Sequence, residues 1–381
     1  MTPSSMTFNS PVAPASYAWE ATDESVAERY GVPVEQVVRF DLNTSPTPTR
    51  LVARLLAEGH FAPVLSEYPP GDYRRLVEAA ASAYGVGIDE IVPGAGADEI
   101  IEMAAKAFLD PGGSAVVPIP SFSMYRIATE QRGGTVIPVP RLGPEADFAL
   151  DEPAMRAAAA KASLVWLCNP NNPTGAAEPA GGTERLLEAI AADAAAEDRQ
   201  PAWVVMDEAY SEFSGVTALP LRTRFPNLVV IRTASKAYAL AGLRVGFAIA
   251  VPETLARIAL YRPPGSISII SETVVTQALL DGTEMRENVA RVDLERPRLS
   301  DGLRDVGWKP YPSVANFILV DFGTPARAAA VADALLHRGL VPRTFGAAHP
   351  LAHCLRLTIR TTAENDRMIA AAREIALEVP A

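Results

Sequence analysis

In the stretch TASKAYALAGLR, residues 233–244, Lys236 stands between Ser235 and an apolar run. The chain has 34 lysines and arginines, yet lysine occurs only at Lys106, Lys161, Lys236 and Lys309. An amine at the edge of a buried sheet has its charged form disfavoured by desolvation, which lowers its pKa and frees it to condense with a carbonyl carbon. A lysine snorkelling to solvent is the alternative. Ser235 and Arg244 offer a hydroxyl and a guanidinium to a phosphate. Asp207 ends the apolar run WVVM, where a carboxylate calls for a cationic partner, unless it caps a helix. Asn172, in NPNNPTG (Asn169 to Gly175), can donate its amide to a ligand oxygen or only shape a turn.

A lysine for an aldehyde, a serine and an arginine for a phosphate and an aspartate for a protonated ring nitrogen together match the needs of pyridoxal 5′-phosphate. GAGADE (Gly94 to Glu99) opens a helix and lets backbone N–H groups approach an anion. A dinucleotide fingerprint would need a third glycine where Glu99 stands, which weighs against an NAD-dependent dehydrogenase and would leave Lys236 unexplained.

These residues need a scaffold that presents strand ends, and the sequence supplies one. EIVPG, SAVVPIP, TVIPVP, SLVWLCNP, WVVMDEAY, LVVIRT and GFAIA read as seven buried strands between about residues 90 and 250, with helical stretches such as Thr183 to Glu197 between them. That alternation predicts an α/β fold, a mostly parallel sheet with helices on both faces. Ligands in such sheets bind beyond the carboxyl ends of the strands, where the polar residues above fall. Pro263, Pro264 and Gly265 mark a boundary after a helix that begins at Pro252. Beyond it, a helical run from about Ser271 to Val306 leads to strand-like NFILVDF, a helix near Pro325 to Arg338, strand-like LRLTIRT and a final helix from Ala363. The expected division is a tail and arm over 1–45, a large α/β domain over 46–262 and a small α+β domain over 263–381.

A net charge of −11 and a pI near 5.0 disfavour a nucleic-acid surface. No run of 18 apolar residues suggests a membrane span, and the Ser- and Pro-rich opening, lacking a basic start and an apolar region, reads as a flexible tail rather than a secretory signal. Cys168 and Cys354 are too few for a disulfide framework and predict a reducing compartment, hence a cytoplasmic protein. No metal site is expected: His349 and His353 lie four apart, but Pro350 between them argues against a shared helix.

Taken together, NPNNPTG, DEAY and SKAYALAGLRVGF, in this order and spacing, resemble the fold-type I PLP-dependent aminotransferases of class I/II, in particular the histidinol-phosphate aminotransferase group. The likeness runs from about Tyr17 to Arg373 and includes YPPGDYRRL, GAGADEII, PSFSMYRIA and LRLTIRTTAEND. It implies that Lys236 holds PLP through a Schiff base and then serves as general acid and base, while Asp207 keeps the ring nitrogen protonated. Tyr210 and Asn172 would bond the cofactor's phenolic oxygen and Phe122 would stack on its ring, although Phe122 also suits an ordinary core. Ser235, Arg244 and the backbone of Gly96, Ala97 and Asp98 would cradle the phosphate, with Tyr68 reaching it from a second subunit of a homodimer.

For the substrate, the resemblance implies Arg356 as a two-pronged clamp on an α-carboxylate, with Tyr17 and Asn172 in the pocket. Alternation along LRLTIRT puts Arg356, Thr358 and Arg360 on one face. Arg360 stands where the family usually has glycine and either enters the pocket or faces solvent. Arg343 matches a family arginine that can meet a distal phosphate, or is a surface charge. NTSPTP (Asn43 to Pro48) replaces the family's NENP-type segment, so the pocket differs from the family pattern. The implied activity moves an amino group between an amino acid and a 2-oxo acid or related carbonyl compound. The alternatives are a PLP decarboxylase of a phosphorylated amino acid, such as a threonine-phosphate decarboxylase, and a ligand-sensing regulator, which would need a basic DNA-binding segment.

Overall fold

The structure is a computed structural model and describes residues 21–59 and 65–379. The strands are β1 (Val38–Arg39), β2 (Ile91–Gly94), β3 (Ser114–Ile119), β4 (Thr135–Pro140), β5 (Leu164–Cys168), β6 (Trp203–Asp207), β7 (Leu228–Thr233), β8 (Gly246–Ile249), β9 (Lys309–Pro310), β10 (Phe317–Asp321), β11 (Leu340–Val341) and β12 (Cys354–Thr358). The seven predicted strands form one sheet in the order β2-β8-β7-β6-β5-β3-β4. Its pairings are parallel from β7 to β4, and β8 runs antiparallel to both its neighbours.

Continuous apolar runs are required because both faces of this sheet are covered. Val165, Leu167, Val204, Met206 and Val230 face helices Arg74–Tyr84, Gly182–Ala196 and Ile269–Asp281. The intervening Leu164, Trp166, Val205, Val229 and Ile231 face helices Gly96–Phe108, Ser123–Gln131 and Pro252–Ala259. Asp207 shares the parity of Val205 and so turns toward the second layer.

A smaller antiparallel sheet, ordered β12-β10-β9, packs with helices Thr283–Arg304, Pro325–Leu336 and Thr362–Glu378 around Leu299, Phe317, Ile318, Leu357 and Met368. The predicted helical run over 271–306 is two helices, because Gly282 adopts φ 64° and caps both Ile269–Asp281 and Thr283–Arg304. The first of the two packs on Arg74–Tyr84, beneath the large sheet. β1 pairs in parallel with β11, which carries residues 38–43 alongside β12 and over the large sheet's strand ends. Among the described residues, no helix is long and apolar enough to cross a membrane.

Candidate active site

β3, β5, β6 and β7 end side by side, and the residues following them line a cleft of about 740 Å³. The cleft collects Ala97, Asp98, Phe122, Asn172, Asp207, Tyr210, Ser235, Lys236, Arg244, Arg343 and Arg356. Gly96 lies beneath it. Tyr68 does not line it and is 94% exposed, while Tyr17 lies outside the described residues.

Lys236 follows β7 with its side chain half-buried. Its Nζ reaches the Leu42 carbonyl at 3.5 Å and lies 5.9 Å from the centre of the Tyr210 ring. Burial, reinforced by the charge on Arg356, pushes its pKa down to about 8. Asp207 is buried at the end of β6. Its Oδ2 accepts from the Tyr125 hydroxyl at 2.7 Å and its Oδ1 from the Ala209 N–H at 2.9 Å. Burial raises its pKa despite these two donors. Among the described residues it has no cation within salt-bridge distance, so one face of this carboxylate suits a protonated ligand nitrogen.

The phosphate-binding candidates converge from three elements. Arg244, with φ 51°, turns back over the start of helix Gly96–Phe108, where Nη2 meets Asp98 Oδ2 at 2.9 Å. Gly96 has φ 83°, a backbone conformation that favours glycine, and the Arg244 guanidinium lies close against it. The Ser235 hydroxyl accepts from Thr233 Oγ1 at 2.9 Å. The buried Ser121 hydroxyl, which also lines the cleft, has no hydrogen-bond partner among the described residues. An unpaired carboxylate, a deprotonatable amine, a glycine-made anion cradle and an orphan hydroxyl in one cleft fit pyridoxal 5′-phosphate.

On the opposite wall Arg356 is buried. Its Nη1 donates to Asn172 Oδ1 at 2.6 Å and its Nη2 to the Asp41 carbonyl at 2.5 Å, over the Phe317 ring. Asn172 therefore holds Arg356 with its oxygen, while its Nδ2 stands 3.5 Å from the Tyr210 hydroxyl. Burial raises the Tyr210 pKa, keeping the phenol protonated. Phe122 precedes helix Ser123–Gln131 and meets Tyr125 edge-on, with ring centres 5.8 Å apart.

Arg360 takes neither expected course. β12 ends at Thr358, and Arg360 pairs with Glu364 at 2.7 Å with its side chain 12% exposed, outside the cleft. Arg343 is bound into the wall through its backbone, exchanging two 3.0 Å hydrogen bonds with Arg356. Of the histidines, His349 lines the cleft, whereas His353 lies 3.9 Å from Asp321. Tyr125 and Asn43 are functional candidates that sequence reading missed. Tyr125 lies three residues after Phe122, so one helical turn separates the ring candidate from the phenol that holds Asp207. Asn43, at φ 54°, donates to the Tyr210 hydroxyl at 3.1 Å. Only its position in the departing NTSPTP segment marked it.

The class I and II aminotransferase family model matches residues 38–372. The chain is 34% identical to a histidinol-phosphate aminotransferase of Roseiflexus castenholzii, over 93% of each chain. It superposes on histidinol-phosphate aminotransferase from Sinorhizobium meliloti in complex with pyridoxal 5′-phosphate with a TM-score of 0.82 and 26% identity, covering 95% of this chain and 96% of that one. It shares its fold, at a TM-score of 0.74 and 23% identity over 90% of this chain and 100% of that one, with L-threonine-O-3-phosphate decarboxylase from Porphyromonas gingivalis. The seven-stranded sheet, the cleft that fits pyridoxal 5′-phosphate and the match over nearly the whole chain identify it as a member of the class I and II aminotransferase family.

Proposed function

We propose that this chain is a PLP-dependent aminotransferase, similar to the histidinol-phosphate aminotransferases, which moves an amino group between an amino acid and a 2-oxo acid or related carbonyl compound. The observation that carries this reading is the placement, in one cleft, of the Lys236 amine and a buried Asp207 carboxylate that among the described residues meets only neutral donors. When bound, the cofactor supplies an electron sink for the electrons released at the substrate Cα.

The residues divide the remaining tasks. Lys236, as the free amine, accepts a proton at Nζ and returns it within the cleft. Asp207, its carboxylate held by the Tyr125 hydroxyl and the Ala209 N–H, would keep the ring nitrogen protonated. Arg244, Ser235 and the N–H groups of Gly96, Ala97 and Asp98 take the phosphate. Binding there requires the Arg244 guanidinium to share or leave Asp98. Arg356, pre-oriented by Asn172 and the Asp41 carbonyl, takes the substrate carboxylate. Phe122 would cover the ring, and Tyr210 with Asn172 would orient the phenolic oxygen. Tyr68, exposed on its own chain, suits a role in a homodimer in which each cleft borrows the partner's tyrosine.

The test is a half-reaction. The PLP-loaded protein mixed with an amino donor should convert its cofactor stoichiometrically to pyridoxamine phosphate, read from the visible spectrum. Release of CO₂ with the cofactor unchanged would establish the decarboxylase instead.

A further inference from the structure

The pairing of β10 with β12 brings three metal-ligating side chains together in the small domain. Asp321 and Cys354 are direct partners in the antiparallel register, so their side chains stand on one face of the sheet. His353 precedes Cys354, and its carbonyl accepts from the Phe322 N–H at 2.9 Å, which fixes the backbone beside the pair. One ligating atom from each residue, a carboxylate oxygen, an imidazole nitrogen and a thiol sulfur, lies within 4.8 Å of the other two. Spacing along the chain hides this group, because Asp321 comes from one strand and His353 and Cys354 from the start of another.

Their mutual contacts do not account for the grouping. His353 Nε2 stands 3.9 Å from Asp321 Oδ1, too far for a hydrogen bond. The buried Cys354 thiol is in no disulfide and, among the described residues, in no hydrogen bond. Asp321, by contrast, is oriented. Its Oδ1 accepts from the Gly323 N–H at 2.7 Å and its Oδ2 from the Tyr311 hydroxyl at 3.1 Å, and each oxygen keeps a further lone pair. Tyr311 is itself held, its N–H bonding the Leu319 carbonyl at 2.8 Å and its ring meeting Phe148 edge-on. Donors that orient a ligating carboxylate are what a metal site requires around it.

The mixture of sulfur, nitrogen and oxygen selects the cation. Mg²⁺ and Ca²⁺ take oxygen ligands, whereas Zn²⁺ accepts all three atoms at about 2.0–2.3 Å, in a tetrahedron whose corners are about 3–4 Å apart. Closing from the observed spacing takes a movement of about 1 Å, which the 33% exposed His353 side chain has room to make.

We propose that Asp321, His353 and Cys354 form a Zn²⁺ site outside the cleft, with a fourth position left to water. On coordination the sulfur binds as thiolate and its proton passes to solvent. The ion then clips the end of β10 to the start of β12. Cys354 belongs to the apolar cluster of Phe148, Leu319 and Leu351, on which Phe345 of the cleft wall rests, so the clip stiffens that wall from behind.

Zn²⁺ alone is the probe, titrated calorimetrically into PLP-loaded protein stripped beforehand with a chelator. One ion per chain should bind, with Kd below about 10 µM, and should raise Tm. Co²⁺ in its place should show the strong visible d–d bands of a tetrahedral site, at longer wavelengths than the cofactor absorbs. His353→Ala should weaken Zn²⁺ binding at least about 100-fold and abolish the gain in Tm, and Tyr311→Phe should weaken it about tenfold. A melt of His353→Ala without zinc that matches wild type shows that the loss is one of ligation. Cys354→Ser should cost as much affinity and remove the strong Co²⁺ bands; if that variant does not fold, His353→Ala decides alone. Weaker binding by wild type, full affinity in His353→Ala or in a folded Cys354→Ser, or the faint bands of octahedral Co²⁺ would overturn the site.

Discussion

Two buried charge clusters grow from the ends of the same two strands, β6 and β7, and have opposite designs. Glu208, one residue past Asp207, meets Arg232 at 2.8 Å and also accepts from the Thr217 hydroxyl and the Ala218 N–H; Arg232 meets Glu212 at 3.1 Å. There burial acts to lower the Arg232 pKa, but Glu208 and Glu212 together raise it, and the ions pair with one another. On the cleft side, among the described residues, Asp207 has two neutral donors and no cation, and Lys236 has one long hydrogen bond to a carbonyl. The first arrangement stabilises the structure it sits in. The second leaves charge unmet until a ligand brings its complement, which is how a buried pair serves chemistry rather than stability.

The largest effect that would separate the clusters is on turnover. Lys236→Ala should lower kcat about 10⁴-fold or more, since no other group can supply the nucleophilic amine, while leaving thermal stability at or above wild type. Arg232→Ala should do the reverse, lowering unfolding free energy by about 3–5 kcal/mol in a denaturant titration because two buried carboxylates lose their cation. If the two variants were equally destabilised, the contrast would break.

Asp207→Asn keeps the shape but removes the anion. Its kcat should fall about 10²- to 10³-fold, and the visible band of the loaded protein should move as the ring nitrogen loses its proton. Tyr125→Phe is the smallest change. It removes a hydrogen bond that lowers the Asp207 pKa, so that pKa rises and the acid limb of the kcat profile should shift to higher pH, with about a fivefold loss at neutral pH. A simple structural role would lower stability without moving the limb.

Much of this was legible in the sequence because strands buried on both faces leave continuous apolar runs, and polar residues just past them stand out. Lys236, Asp207, Asn172 and Arg244 were found that way, and the structure gathers them into one cleft. Contacts between distant segments were not legible. Tyr125 reads as one more helical aromatic until β6 is seen beneath it, and Asn43 meets Tyr210 across 167 residues of chain. Arg360 shows how a pattern can overrun its element. Alternation placed it beside Arg356, but the strand ends at Thr358 and the Arg360 N–H bonds the Asn365 side chain at the start of the last helix. His349 was weighed only as a metal ligand, and its place in the cleft depends on a loop with no periodicity.

The central claim is that the Lys236 amine is partly desolvated and, among the described residues, has no carboxylate in salt-bridge contact. It can be measured directly by trapping pyridoxal 5′-phosphate on the cofactor-free protein with borohydride across a pH series and locating the label by peptide mass spectrometry. The account predicts labelling at Lys236 with a half-maximum near pH 8, the side on which the amine has lost its proton. A half-maximum near 10.5, the ordinary lysine value, or labelling at Lys106, Lys161 or Lys309 in its place, would contradict it.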